Sequence, residues 1–281
     1  MDPKVTLSSI LKPLKRLKEN KAALFGFIVV LFFIILAIFA DIIAPYDVNE
    51  VFQTRLPPSP NHWFGTDTRG RDLFSLVVYG ARTTLYVGAA CCFIEFVLGF
   101  IIGAISGYIG GWLDDLFMRI ADIFLSLPSL LVVILAVSMF KSRSLTVIIL
   151  VMGFIGWPYM ARVVRSQVLQ LKGAPFVEAA RAIGASTQRI LFRHILPNIM
   201  LPIIILLTIE FAGYVLWEAT LSFLGLGDPN SISYGALILS GKNTLRTCPW
   251  ITFFPGLFLF LLLLGFQLFG DGLRDIFEIR V

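Results

Sequence analysis

The segment Ala22–Ala40 reads AALFGFIVVLFFIILAIFA and contains no charged residue. A helix rises about 1.5 Å per residue, so about 20 apolar residues cross the ~30 Å hydrocarbon core of a bilayer. The basic stretch 12–18 precedes this run, but the run is longer than a signal-peptide core of about 7–15 residues. The sequence therefore predicts a first membrane-spanning helix over residues 22–44, and signal-peptide cleavage is the less favoured alternative.

Five further apolar runs follow, and none shows the alternating period of a barrel strand. One carries Glu95, the next has Asp122 near its start, and a later one carries Glu210 and Glu218. Composition agrees with a membrane protein, because 57% of residues are hydrophobic and only 15% are charged. We predict an all-α, polytopic membrane protein with six transmembrane helices, the last five near residues 85–107, 120–140, 144–165, 199–221 and 250–270.

The distribution of basic residues predicts the orientation of the chain. If the N-terminus is inside, the inner segments hold 15 of the 23 lysines and arginines, which fits the positive-inside rule. Both termini are then cytoplasmic, and the basic excess predicts topology and no nucleic-acid partner. Residues 1–21 form either an amphipathic helix on anionic membrane lipid or an ordinary basic flank. An extracytoplasmic loop (45–82), a membrane core (83–275) and a tail (276–281) follow.

The outer loop over residues 45–82 contains four prolines between positions 45 and 60, and they disfavour a helix in that part. The stretch Trp63–Asp72 then combines turn-forming residues with alternating charges. We expect turns and salt bridges to order this part of the loop.

The inner loop over residues 173–198 carries the strongest local signals. Pro175 suits the first turn of a helix, and Glu178 suits its positive end. Gly184 follows where a helix often ends in the left-handed conformation. The apolar positions at helical spacing predict one face, made of Phe176, Ala179, Ala180 and Ile183.

A second short helix is predicted directly after Gly184. Ser186 can cap it, Ile190 belongs to its apolar stripe, and Pro197 is predicted to end it. Asn198 can then cap the next span. Two helices this short cannot fold alone, so the loop must pack into a groove of its own bundle or of a partner.

The loop matches a known family. Glu178-Ala-Ala-Arg-Ala-Ile-Gly-Ala-Ser186, followed by His194-Ile-Leu-Pro-Asn198, resembles the EAA loop of ABC importer permeases. The fit is to the second, C-type subunit of the dipeptide, oligopeptide and nickel group. Two departures stand out, Asp228-Pro229-Asn230 in place of two prolines and Phe277-Glu-Ile-Arg280 in place of an Asp-Pro-Arg end. Four more stretches resemble the group, namely Phe64–Asp72, Gly80–Leu85, Glu218–Gly227 and Gly270–Asp275.

The resemblance implies a type I ABC importer permease fold and a non-catalytic subunit of a transport complex. A second, homologous permease subunit would complete a heterodimeric pore, two ATPase subunits would bind ATP-Mg, and an extracytoplasmic binding protein would deliver substrate. This chain would bind no cofactor itself. An ion pair of Glu178 with Arg181 or Arg165 could orient the loop. The implied ATPase-coupling residues are Phe176, Glu178, Ala179, Ala180, Arg181, Gly184, Ala185, Ile190 and Pro197.

Acidic residues inside predicted spans are costly and often functional. A structural role is the favoured interpretation of Glu218, whereas Glu95 and Glu210 fit a substrate pathway and an interhelical hydrogen bond equally well. His62 and His194 have no partner at metal-ligand spacing, so no metal site is predicted.

Three functional alternatives remain open at this point. A self-sufficient secondary transporter would show internal repeats, and none is convincing here. A membrane enzyme would need a catalytic set, and none is evident. The third alternative concerns the cargo of an ATP-driven importer. Peptides are the favoured cargo, and oligosaccharides or nickel are the alternatives.

Overall fold

The computed structural model describes residues 20–140 and 143–277, which fold into helices and connecting segments with one isolated bridge between Thr66 and Asp72. The predicted N-terminal helix and most of the tail lie outside the described residues. In chain order the helices are α1 (Lys21–Ile38), α2 (Ala40–Ile43), α3 (Leu73–Ile109), α4 (Gly111–Ser126), α5 (Ser129–Met139), α6 (Leu145–Lys172), α7 (Pro175–Ala182), α8 (Thr187–Phe223), α9 (Tyr234–Gly241) and α10 (Trp250–Phe277).

Five helices are long and apolar enough to cross a membrane, namely α1, α3, α6, α8 and α10. The third predicted span, 120–140, needs correction because α4 and α5 meet at an angle of 89°. Pro128 disfavours a helical conformation in the residue before it, and Leu127 is extended, with φ −99° and ψ 144°. The count reaches six only if this bent pair is taken as one span.

Helices α3 and α6 pack along a seam of small residues, which we call the glycine seam: Gly99, Gly103 and Gly107 of α3. A Cβ atom added to Gly103 would lie 2.8 Å from the Val164 Cβ and closer still to the Ala161 carbonyl oxygen. Added Cβ atoms at Gly99 and Gly107 would likewise lie 2.9 Å from backbone oxygens of α6. Small residues allow this close approach of two membrane helices.

Helix α3 begins well before the predicted span at 85–107. The Asp72 carboxylate caps it by accepting hydrogen bonds from the backbone N–H of Ser75 at 2.8 Å and from the Ser75 hydroxyl at 2.9 Å. The last part of the predicted loop 45–82 is therefore helical. Arg82 in this extension pairs with Asp41 at 2.9 Å, and hydrogen bonds from Arg82 and Tyr79 hold the pKa of Asp41 below its ordinary value.

The rest of the loop is ordered by two buried carboxylates, as expected from its turns and charges. Asp67 is fully buried and accepts hydrogen bonds from the backbone N–H groups of Arg69 and Arg71 and from the Arg71 side chain. Asp72 also contacts the His62 Nδ1 at 2.9 Å. These bonds tie the loop to the start of α3.

Candidate functional site

The loop between α6 and α8 folds as two helical arms around Gly184. Pro175 lies in the first turn of α7, where a missing N–H leaves no bond unmade. Gly184 has φ +80°, as predicted, because the chain must turn in the left-handed region there. The turn is closed by backbone hydrogen bonds from Gly184 to Arg181 at 3.0 Å and from Ala185 to Ala180 at 3.1 Å.

The predicted apolar face of α7 needs correction. Of its four residues only Ala180 is buried, and the other buried residue of the helix is Val177, which was not assigned to that face. Val177 and Ala180 belong to the core cluster that includes Val168 and Ile195. Phe176 is 43% exposed and Ile183 is 86% exposed. Helical spacing revealed an apolar stripe but could not reveal that most of it points away from the protein's own helices.

The second arm begins as predicted and ends differently. The Ser186 hydroxyl accepts a hydrogen bond from the Arg189 N–H at 3.4 Å, and Ile190 is buried. Pro197 does not end the helix, because α8 continues to Phe223. Proline has no N–H to donate to the carbonyl one turn earlier, and the helix absorbs this as a wider π-helical turn over Leu191–Ile195.

The cytoplasmic cap predicted for Asn198 is also absent. Its side-chain amide donates instead to the His194 carbonyl at 2.6 Å, one turn earlier in the same helix. Phe192, in the π-helical turn, is 65% exposed. The exposed apolar surface of α7 is therefore accompanied by an exposed aromatic residue at the start of α8.

The base of the loop is fixed to α3 and α4 by polar contacts. Arg165 of α6 binds Asp114 of α4 through two hydrogen bonds of 2.5 and 2.6 Å. Lys172, the last residue of α6, donates to the Tyr108 carbonyl at 2.6 Å. Arg162 pairs with Asp122 in the same region.

These contacts overturn the predicted pairing of Glu178 with Arg165, because Asp114 takes that guanidinium group. Within the described part of the chain, neither Glu178 nor Arg181 makes an ion pair, and both are exposed. A carboxylate and a guanidinium group on α7 are thus available to another molecule.

The three acidic residues inside the spans have three different environments. Glu218 is 2% exposed and accepts a hydrogen bond from Ser222 at 2.6 Å, which fits the structural interpretation. Glu95 is 1% exposed and has the Tyr214 hydroxyl beside it, although neither carboxyl oxygen meets hydrogen-bond geometry among the described residues. Glu210 is partly exposed and lines an open groove between α8 and α10.

Sequence reasoning missed the residues that surround Glu95. A Cβ added to Gly156 of α6 would lie 3.3 Å from the Glu95 Cδ and would collide with the Tyr214 hydroxyl of α8. Tyr159, one turn of α6 from Gly156, is 42% exposed. An aromatic residue in an apolar helix gives no signal of its own, so only the packing of the helices identifies these neighbours.

Comparison with known protein families identifies the family to which this architecture belongs. The family model for the inner membrane component of binding-protein-dependent transport systems matches residues 99–281. A second model, for the N-terminal transmembrane domain of oligopeptide transport permease C, matches residues 13–58. The chain belongs to the family of binding-protein-dependent transport system inner membrane components. It is a multi-pass membrane protein and a transport permease subunit rather than a catalytic one.

Comparison with individual proteins shows which members of the family resemble this chain. The chain is 41% identical to the oligopeptide permease OppC of Bacillus subtilis, covering 92% of this chain and 86% of that protein. It is 40% identical to the dipeptide permease DppC of Bacillus subtilis, covering 93% and 82%. It is also 40% identical to the glutathione permease GsiD of Escherichia coli O157:H7, covering 95% and 89%.

A solved structure supports the fold. An inward-facing form of the MetNI methionine ABC transporter superposes with a TM-score of 0.60 at 21% identity, covering 73% of this chain and 97% of that one. The chain therefore has the type I ABC importer permease fold that its EAA loop implied. Membership of this family also implies an ATPase partner and a substrate-binding partner.

Proposed function

We propose that this chain forms half of the translocation pore of an ATP-driven peptide importer and couples to an ATPase subunit through residues 173–198. The observation that carries the coupling role is the exposed apolar surface of the loop, formed by Phe176, Ile183 and Phe192. Apolar surface rimmed by charged groups is typical of a protein interaction site. Peptides are the proposed cargo because the similar proteins are named as oligopeptide, dipeptide and glutathione permeases.

The complete machine is proposed on the same basis. A second permease subunit completes a heterodimeric pore, and two ATPase subunits bind ATP-Mg on the cytoplasmic side, where both termini of this chain also lie. An extracytoplasmic binding protein presents the peptide. In this proposal the chain itself binds no cofactor, and ATP-Mg belongs to the partner subunits.

The geometry of the loop explains how it could transmit movement. Its base is held by the Arg165–Asp114 and Lys172–Tyr108 contacts, and α7 packs on the bundle through Val177. When ATP binding moves the ATPase subunits, a push on α7 passes directly to α6, because rigid elements move as bodies. Helix α6 in turn moves α3 along the glycine seam.

The implied coupling residues divide into two sets by their environment. The contacting set is exposed: Phe176 supplies apolar area, Glu178 and Arg181 supply charge, and the small Ala179 lets a partner approach closely. The holding set maintains the shape of the loop: Ala180 and Ile190 are buried, Gly184 and Ala185 form the turn, and Pro197 follows the π-helical turn at the start of α8.

Reconstitution tests the proposal. The chain is purified with its second permease and ATPase subunits, placed in proteoliposomes with the binding protein, and assayed for uptake of radiolabelled Ala-Ala. We expect uptake that requires ATP on the ATPase side and ATPase subunits that copurify through the loop. Uptake by this chain alone, driven by an ion gradient, would instead support a secondary transporter. ATP-driven uptake of an oligosaccharide or nickel, without peptide uptake, would correct the cargo.

A further inference from the structure

Glu210 differs from the other acidic residues in the spans because its side chain faces open space. The groove it lines, between α8 and α10, measures about 480 Å³. The walls are largely aliphatic, with Phe260 and Gln267 contributed by α10. Among residues 20–140 and 143–277, the Glu210 carboxylate has no hydrogen bond and no ion pair. Such a group in an apolar setting is unfavourable until a donor or a cation reaches it.

The surrounding helices supply no cation. The sequence has no lysine or arginine in the stretches 83–109 of α3, 145–161 of α6, 194–223 of α8 or 250–273 of α10. Every membrane-embedded element packed around Glu210 is therefore neutral or acidic. The counter-charge of this carboxylate must come from another molecule.

A second carboxyl group within the membrane also lacks a cationic partner among the described residues. This group, Glu95 of α3, is 1% exposed. It faces the junction of α6 and α8 beside Gly156, where the Tyr214 hydroxyl lies next to its carboxyl group. Tyr159, three residues after Gly156 on α6, is 42% exposed. Tyr214, which fills that junction, lies one helical turn after Glu210 on α8. Tyr214 thus links Glu95 to the stretch of α8 that carries Glu210.

We infer that Glu210 receives the free amino group of the transported peptide within the membrane. This inference rests on the proposed function. Peptides differ in their side chains but share a terminal ammonium group, which a carboxylate binds by a charge-assisted hydrogen bond. Apolar groove walls accept side chains of varied shape, while one polar group fixes orientation.

Gly213 offers a direct probe of the groove. It lines the same space, and a Cβ atom there meets nothing within 4 Å. In the reconstituted complex, Gly213→Cys is labelled with methanethiosulfonate reagents that carry either an ammonium or a sulfonate group. Each rate is divided by the rate of that reagent with a free small thiol. The three native cysteines are buried, and the complex without Gly213→Cys measures the background labelling of this chain.

The expected result is a preference for the ammonium reagent of about tenfold, because a nearby carboxylate concentrates cations in a low-dielectric site. Adding Glu210→Gln should bring the ratio close to one. Glu218→Gln is the matched control, because it removes a carboxyl group from the same helix away from the groove. This control should leave the ratio unchanged.

Peptide protection completes the test. Ala-Ala should slow labelling of Gly213→Cys, N-acetyl-Ala-Ala should not, and Glu210→Gln should abolish the protection. An unchanged reagent ratio in Glu210→Gln, or equal protection by both peptides, overturns the inference. Loss of the second permease subunit on purification of Glu210→Gln also overturns it, because Glu210 would then pair across the subunit interface. If the unmodified complex takes up no peptide at all, the proposed function fails as well, so the two failures are distinguishable.

Discussion

The glycine seam and the exposed surface of α7 are opposite solutions to helix packing. Along the seam, α3 carries no side chain at Gly99, Gly103 or Gly107, so its backbone lies against α6 without room for another atom. At the end of α7, Ile183 is 86% exposed, and no residue in the described part of the chain covers it. The seam is complete within one chain, whereas the loop is completed only by a partner. Substitutions in the two regions should therefore fail in different ways.

Gly103→Leu should have the largest effect, because the seam has no space for any side chain. Overpacking a close-packed contact costs about 1–3 kcal/mol and sometimes more, and Leu adds several atoms beyond the Cβ that already collides. We expect loss of the monodisperse, folded protein, measured by fluorescence-detected size exclusion after heating.

The matched pair Gly103→Ala and Gly256→Ala controls for glycine replacement itself. A Cβ at Gly256 of α10 meets nothing within 4 Å, and alanine favours a helix over glycine by up to about 1 kcal/mol. Gly103→Ala should lower the melting temperature, and Gly256→Ala should leave it equal or higher. Equal melting temperatures for the two variants would show that the seam is not close-packed.

Loop substitutions should abolish transport while the protein stays folded. Gly184→Val places a β-branched residue at φ +80°, where strain is about 1–3 kcal/mol, and this displaces the two arms. Glu178→Lys reverses the charge offered to the partner. We expect ATP-driven peptide uptake to fall about tenfold or more, as a loss of about 1.4 kcal/mol of coupling would produce, with ATP hydrolysis uncoupled from it.

Gly184→Asn provides the control, because asparagine tolerates the left-handed region better than other residues with a side chain. It should retain most uptake. Normal uptake by both Gly184→Val and Glu178→Lys, at normal abundance in the membrane, would contradict the coupling role.

The contrast also shows what sequence could predict. Local signals were sufficient for the apolar spans, the turn at Gly184 and the cap at Ser186, because each depends on neighbouring residues. The bend at Leu127 was missed because an averaged hydropathy does not register the proline that follows this residue. The π-helical turn before Pro197 was missed because a helix can accommodate a proline as well as end at one. The partner of Arg165 is Asp114, 51 residues away, and no local pattern specifies such a contact.

The exposed face of α7 should contribute affinity rather than folding. Burial of an isoleucine side chain is worth about 1.5–3 kcal/mol, so Ile183→Ser should weaken ATPase binding about tenfold or more without changing the melting temperature. Binding is measured by titration of the ATPase subunit onto the purified permease pair. Ile42→Ser, at a residue that is 79% exposed outside the loop, should not change the affinity.

Arg165 lies where the two regions meet, and its conservative substitution should have the smallest effect. Its carbonyl oxygen packs against Gly107 in the seam, while its guanidinium group holds Asp114 at the base of the loop. Arg165→Lys keeps the charge but loses the two-bond geometry, and the side chain is 32% exposed, so the loss should be about 1 kcal/mol or less. If the pair serves only the seam, the melting temperature falls and the uptake per ATP hydrolysed is unchanged. We expect the reverse, a small fall in uptake per ATP with little change in melting, because the backbone contact with Gly107 is retained while the anchorage of the loop is loosened.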